Sequence, residues 1–239
     1  MSKYQAVIFD AGGTLIGNDD PLGFEKDLAA AFADMGVSAG AKQLRDLMSR
    51  LQREARLRRQ QTGGWSRSEE EQRQNTLWVG TFLLENLGVS DDVEGKAIEI
   101  YDRFEAGAFI DLFSEVRPTL ERLSQRGITM GVLSNYPPFL ERNLRLLDIH
   151  HYFAFFVVSS MVGLEKPDSR IFHLAVQKAG YPQEKILYVG DSLHDDVEGA
   201  QGVGLDVILV DRFDSFPDAH CERIGSLTEL VKIFNWPST

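Results

Sequence analysis

The stretch Val7-Ile8-Phe9 delivers one carboxylate, Asp10, and the chain then sheds its side chains at Gly12 and Gly13 before Thr14. Further along, one apolar run ends in the hydroxyl–amide pair Ser134-Asn135, another is followed by Lys166, and a third ends in Gly190-Asp191-Ser192. If folding gathers them, two acids, a hydroxyl–amide pair and a lysine are suited to holding a phosphate or carboxylate beside a metal ion. The lysine offsets gathered negative charge, and carboxylates are the ligands a hard cation prefers. Singly, none is diagnostic. An Asp ahead of a glycine turn is ordinary turn chemistry, and Ser134-Asn135 before Pro137 and Pro138 reads equally well as a loop.

A scaffold that could gather them is written in the apolar runs at 4–9, 128–134, 153–159, 186–190 and 206–210. They lack the alternation of a half-exposed sheet, so they read as strands buried on both faces. Helical patterns of crossover length lie between the last four. One covers roughly 138–147, and another runs from an N-cap at Asp168 to a stop at Gly180 and Pro182. Such alternation predicts an α/β fold with a doubly wound, Rossmann-like parallel sheet. Asp10, Ser134-Asn135, Lys166 and Asp191 then stand at or beyond the carboxyl ends of strands, the edge where open α/β sheets bind ligands.

Residues 17–116 differ. They hold no convincing strand and at least four helical patterns, with apolar stripes at Phe24, Leu28, Ala31, Phe32 and Met35, and at Leu44, Leu47, Met48, Leu51 and Ala55. Ser66-Arg67-Ser68-Glu69 resembles a capping box for a third helix carrying Leu77, Trp78, Phe82 and Leu83, and Ser90-Asp91-Asp92 opens a fourth. The expected organisation is a core of 1–16 and 117–239 interrupted by a helical domain, 17–116.

The 239 residues suffice for a large core, and the formal charge of -11 opposes binding to a nucleic-acid backbone. Cys221 is the sole cysteine, so an internal disulfide is impossible and a reducing compartment fits. With no apolar run of membrane-spanning length and no signal-peptide core, a cytoplasmic protein without a membrane partner is expected. Oligomeric state leaves no signature.

In this order and layout the four stretches resemble the haloacid dehalogenase (HAD) superfamily, with a helical cap inserted after the first motif. The family pattern Asp-x-Asp-x-Thr falls on Asp10-Ala11-Gly12-Gly13-Thr14. The second motif falls on Ser134, the Lys-Pro motif on Lys166-Pro167, and the acidic motif on Asp191 and, by spacing, Asp196 rather than Asp195. The resemblance implies Asp10 as a nucleophile that forms an aspartyl-phosphate, with Ser134 and Lys166 holding the transferring group and Thr14 and Asn135 beside it. It further implies a Mg²⁺ ion held by Asp10, Asp191 and the Gly12 carbonyl, with Asp196 acting from behind or through water.

One departure matters. The family's phosphatases carry an acid two residues after the nucleophile, to protonate the leaving group and later activate water. Here that position is Gly12. General acid–base catalysis is typically worth ~10²–10⁴-fold, so the loss is serious without being total.

The leading expectation is a Mg²⁺-dependent phosphohydrolase acting on a small phosphorylated, anionic metabolite, with atypical acid–base catalysis. A catalytically silent protein that binds a phosphorylated ligand or partner is an alternative. So is a dehalogenase-like or phosphonate hydrolase. The superfamily's dehalogenases also lack the second acid and share Ser-Asn, yet they lack the acid of Gly-Asp-Ser. His194 could replace the missing base but reads better as a loop residue, His150-His151 as structural, and the arginine run from Arg50 to Arg59 as a solvated helix face.

Overall fold

The computed structural model describes residues 3–234. Six parallel strands, β1 (Ala6–Phe9), β2 (Thr129–Ser134), β3 (Phe155–Val158), β4 (Ile186–Gly190), β5 (Asp206–Val210) and β6 (Glu222–Ile224), form one sheet in the order β3-β2-β1-β4-β5-β6. Chain order runs outward from β1 in both directions, so the sheet is doubly wound and its switch point lies between β1 and β4. The fold is therefore of the α/β class that the strand–helix alternation predicts.

The helices are α1 (Gly23–Asp34), α2 (Ala41–Thr62), α3 (Glu69–Asn86), α4 (Val93–Glu105), α5 (Val116–Gln125), α6 (Leu140–Leu146), α7 (Ser159–Val162), α8 (Ser169–Ala179), α9 (Gly199–Gly202) and α10 (Leu230–Ile233). Among the described residues no helix is long and apolar enough to cross a membrane.

β1 shows why its run is uniformly apolar. Val7 and Phe9 project into one layer with Leu120, Leu123, Leu140, Leu144 and Leu230, from α5, α6 and α10. Ala6 and Ile8 project into the other with Ile171, Phe172 and Ala175 of α8 and Ala200 of α9. Successive side chains of a strand point to opposite faces. Helices cover both, so all four positions are fully buried.

Helices α1 to α4 pack on a separate core built from Leu28, Phe32, Leu44, Leu47, Leu83, Leu84, Ala97 and Ile100. Each stripe contributes, and Gly36 and Gly88 follow α1 and α3 with positive φ, as helix stops do. The start of α3 differs from expectation. Its N-cap is Ser68, whose hydroxyl accepts from the Glu71 amide at 3.0 Å, while Ser66 is buried elsewhere. The cap of α8 falls where expected: Asp168 accepts from the Arg170 amide at 2.9 Å, and Gly180 closes the helix at φ +74. The sixth strand, Glu222–Ile224, has no counterpart among the apolar runs because two of its three residues are exposed.

Candidate active site

The register of the central strands sets the site. Phe9 lies opposite Val189 of β4 and Val132 of β2, so the next residues of β1 and β4, Asp10 and Gly190-Asp191, leave the sheet together. The Asp10 amide donates to the Val189 carbonyl at 2.9 Å, holding the exit of β1 against β4. Ser134, the last residue of β2, is buried beside them.

Lys166 enters from the loop before α8 and lies at the centre. Its Nζ donates to Asp10 Oδ1 at 2.7 Å, to Asp196 Oδ1, and to the Tyr188 hydroxyl at 3.2 Å. Tyr188 in turn donates to Asp196 Oδ1 at 2.7 Å, and the Ser192 amide donates to Asp196 Oδ2 at 2.9 Å. Both oxygens of Asp196 are thus engaged by protein donors. The wide π-helical turn Leu193–Glu198 carries this carboxylate and turns it back under Ser192, a use of π geometry common at functional sites.

Asn135 and Thr14 are both engaged by neighbouring protein groups. Asn135 Oδ1 accepts from the Lys166 amide at 2.8 Å and its Nδ2 donates to the Lys166 carbonyl at 3.0 Å, so the side chain grips the lysine's backbone from both sides. Thr14, fully buried, directs its hydroxyl toward Asp191 Oδ1 at 3.4 Å.

Charge in the site is unbalanced. Asp10, Asp191 and Asp196 each bring one oxygen within 4.8 Å of the others, against a single ammonium. Burial pushes the Asp10 carboxyl up, and Lys166 pulls back only part of the shift, with Asp196 adding to it. Burial likewise pushes Asp191 well above its ordinary value, reinforced by the charges of Asp10 and Asp196 and partly opposed by Lys166. For Lys166 burial acts downward, but the flanking Asp10 and Asp196 outweigh it and keep it firmly protonated. A hard divalent cation fits such a carboxylate group, since it would remove the repulsion that burial intensifies.

The two glycines after Asp10 are not equivalent. Gly13 has φ +75, and a Cβ there would lie 2.1 Å from Asp191 Oδ2. Only glycine lets this turn close against Asp191. A Cβ at Gly12 would meet nothing within 4 Å, and its backbone lies outside the left-handed region. Neither backbone nor packing requires the missing acid to be absent.

Three supporting groups escaped the sequence reading. Arg212, in the loop after β5, donates to the carbonyls of Gly13 at 2.7 Å and Thr14 at 2.8 Å, pinning the turn. Tyr188 was hidden within an apolar run. Glu165, beside Lys166, accepts from the amides of Trp65 at 2.8 Å and Ser66 at 2.7 Å, between α2 and α3. Arg59 of α2 reaches the same place, donating to Glu165 at 2.8 Å, to Asp195 at 3.0 Å and to the Lys166 carbonyl. The arginine run therefore reaches the junction of helical block and sheet through Arg59, and Arg56 lines the same cleft. His194 is exposed and paired with Glu198, and His150 stacks on Phe156.

Comparison with known proteins identifies relatives of this chain and of its fold. The family model described as haloacid dehalogenase-like hydrolase matches residues 4–204. A glyceraldehyde 3-phosphate phosphatase of Methanopyrus kandleri is 30% identical over 136 residues, covering 52% of this chain and 58% of that protein. A phosphoserine phosphatase of Thermus thermophilus is 32% identical over 167 residues, covering 64% of this chain and 65% of its own length. The chain thus spans less than two thirds of either relative. A crystal structure of 2-haloacid dehalogenase from Pseudomonas syringae pv. Tomato superposes with a TM-score of 0.64 at 26% identity, covering 97% of this chain and 98% of that one.

Proposed function

This chain belongs to the haloacid dehalogenase-like hydrolases, and from that premise we propose that it is a Mg²⁺-dependent phosphohydrolase of small phosphorylated molecules, with Asp10 as nucleophile and residues 17–116 as a cap over the site. The observation that carries the reading is the buried arrangement in which Lys166 joins Asp10 to Asp196 with Asp191 alongside, at the switch point of the sheet.

The residues act as follows. One Asp10 oxygen forms a bond to phosphorus as the ester P–O bond breaks and the alcohol oxygen leaves with the electron pair. Lys166 holds Asp10 in position and, with Ser134, faces charge on the transferring group. Water then attacks the aspartyl-phosphate, releasing phosphate and restoring the carboxylate. Asp10 and Asp191, with the Gly12 carbonyl, would hold Mg²⁺, which when bound supplies charge neutralisation for the phosphate oxygens. Asp196, engaged on both oxygens, acts from behind by fixing Lys166 and Ser192. Asn135 positions Lys166, and Thr14 positions Asp191.

No acid stands at position 12, so the departing oxygen must leave as an anion or take its proton from water. Esters of acidic alcohols, such as aryl phosphates, are favoured. The test is release of phosphate from aryl and acyl phosphates with millimolar Mg²⁺, using Asp10→Asn as the blank. Turnover lost with chelator and absent in Asp10→Asn is expected. Tight, Mg²⁺-dependent binding of phosphate without turnover would replace this reading with a silent ligand-binding protein.

A further inference from the structure

Beyond the strand tips lies a cavity of about 300 Å³ that opens beside Gly12 and Gly13 and is shared between the sheet and the helical block. Its walls are aromatic: Phe24 from α1, Phe104 from α4, Phe109 from the return crossing and Tyr136 after β2. Phe24 and Phe109 meet edge-on with ring centroids 6.2 Å apart, and Phe104 and Tyr136 lie tilted at the same centroid spacing. Phe109 holds φ +64, a left-handed conformation that is unfavourable for a bulky residue and persists where surrounding structure enforces it. Its ring is thus kept in the wall.

The polar residues of the lining are Asn18, Asp27 and Asp111. Asp111 is already engaged, accepting from Asn18 Nδ2 at 3.3 Å and from the Leu112 amide at 2.8 Å. Asp27 is exposed on α1, and its carboxylate makes no hydrogen bond or ion pair with the described residues. Among those residues no lysine, arginine or histidine lines the cavity. The cations of the neighbouring site are committed elsewhere, Lys166 to Asp10 and Asp196, and Arg212 to the carbonyls of Gly13 and Thr14 and to Glu115.

With phosphorus held at Asp10, the organic part of an ester projecting past Gly12 enters this cavity. We propose that the cavity selects phosphomonoesters whose organic part is aromatic or similarly apolar and is neutral or carries an ammonium, with Asp27 as counter-charge, and rejects those carrying a carboxylate. The aromatic walls supply area and stacking. An ammonium gains from Asp27 and from the rings, whereas a carboxylate on the organic part meets two acids and no cation. This assignment rests on the phosphohydrolase reading only for where phosphorus sits. It separates this chain from the Thermus relative, whose named substrate, phosphoserine, bears a carboxylate.

The test is calorimetric binding to the full chain, with Mg²⁺, of benzylphosphonate, 4-(aminomethyl)benzylphosphonate and 4-carboxybenzylphosphonate. The amine should bind most tightly and the carboxylate most weakly, with roughly threefold to tenfold between steps for a partly solvated charge pair. Asp27→Asn should erase most of the amine's advantage over benzylphosphonate, and Asp27→Lys should reverse the order of the charged pair. A carboxylate that binds as tightly as the neutral ligand, an order indifferent to Asp27, or no binding of any of the three would overturn the assignment. Turnover of the corresponding aryl phosphates is measured in parallel. Absent turnover with the expected binding order refutes hydrolysis and leaves the cavity assignment standing; turnover with the order reversed does the opposite.

Discussion

Restoring an acid at position 12 is the sharpest test of the chemistry. In Gly12→Asp the new Cβ enters space in which nothing lies within 4 Å, on a backbone that needs no left-handed conformation. The fold should therefore accept it. Electrostatics sets the cost and also the usefulness. A carboxylate roughly 6 Å from Asp10, at an effective dielectric near 20, feels about 3 kcal/mol of repulsion, or about two pKa units upward, before Lys166 and a bound cation offset part of it. That direction suits a general acid, which must hold its proton until the leaving group takes it. Wild type should be steeply dependent on the leaving group, fast on aryl phosphates and slow on alkyl ones. Gly12→Asp should raise kcat/KM on alkyl phosphates by up to ~10²-fold and change aryl esters little, because their leaving groups need no proton. Phosphate release across a series of esters of graded alcohol pKa, with thermal melts as a folding control, measures this. A wild type equally fast on alkyl and aryl esters, or a well-folded Gly12→Asp with no gain, would refute the reasoning.

The neighbouring glycine should behave in the opposite way: Gly13→Ala places a Cβ against Asp191 at positive φ, costing on the order of 2 kcal/mol or more and abolishing turnover, read by urea melts and phosphate release. Lys166→Met leaves buried carboxylates without their ammonium and should lower metal-free stability by about 3–5 kcal/mol, part of it recovered with Mg²⁺; an unchanged urea midpoint would contradict the ion-pair account. For pH, burial acts to raise Asp211, but Arg223 and the amides of Phe216 and Ser215 outweigh it and hold the carboxyl below its ordinary value. Its stabilising contribution is therefore present above the unfolded carboxylate pKa and fades as pH falls through the lowered folded value. Asp211→Asn should flatten the acid limb of a stability–pH profile and, by loosening the loop that carries Arg212, reduce turnover.

The sequence exposed those parts of this molecule that depend on local chemistry. Strands buried on both faces must be apolar throughout, so β1 to β5 were visible, and the groups that end the runs, Asp10, Ser134 and Asp191, were visible with them. The edge strand Glu222–Ile224 has no such pressure and left no pattern. Asp168 and Gly180 marked α8 because capping is a matter of adjacent residues. Ser66 misled for the complementary reason: its hydroxyl and amide serve Glu165, 99 residues away, and no local spacing encodes that. The sequence offers Asn135 as a substrate-binding residue, whereas the grip of its amide on the backbone of Lys166 follows from tertiary geometry alone.

Glu165 and Lys166 are neighbours in the chain that face opposite ways, one gripping the loop before α3 and the other gripping Asp10. In evolutionary terms this ties two histories together. A helical block can drift freely over most of its surface, yet the residues that meet Glu165 are anchored to a position one peptide unit from the lysine that pairs with Asp10. Exchange of the block for one of different shape must bring its own partner for that carboxylate, or lose the carboxylate with it, since a buried acid stripped of its donors is costly to retain. Substitutions at Arg59, Ser66 and Glu165 should therefore travel together among descendants of this chain, while Lys166 stays fixed beside them.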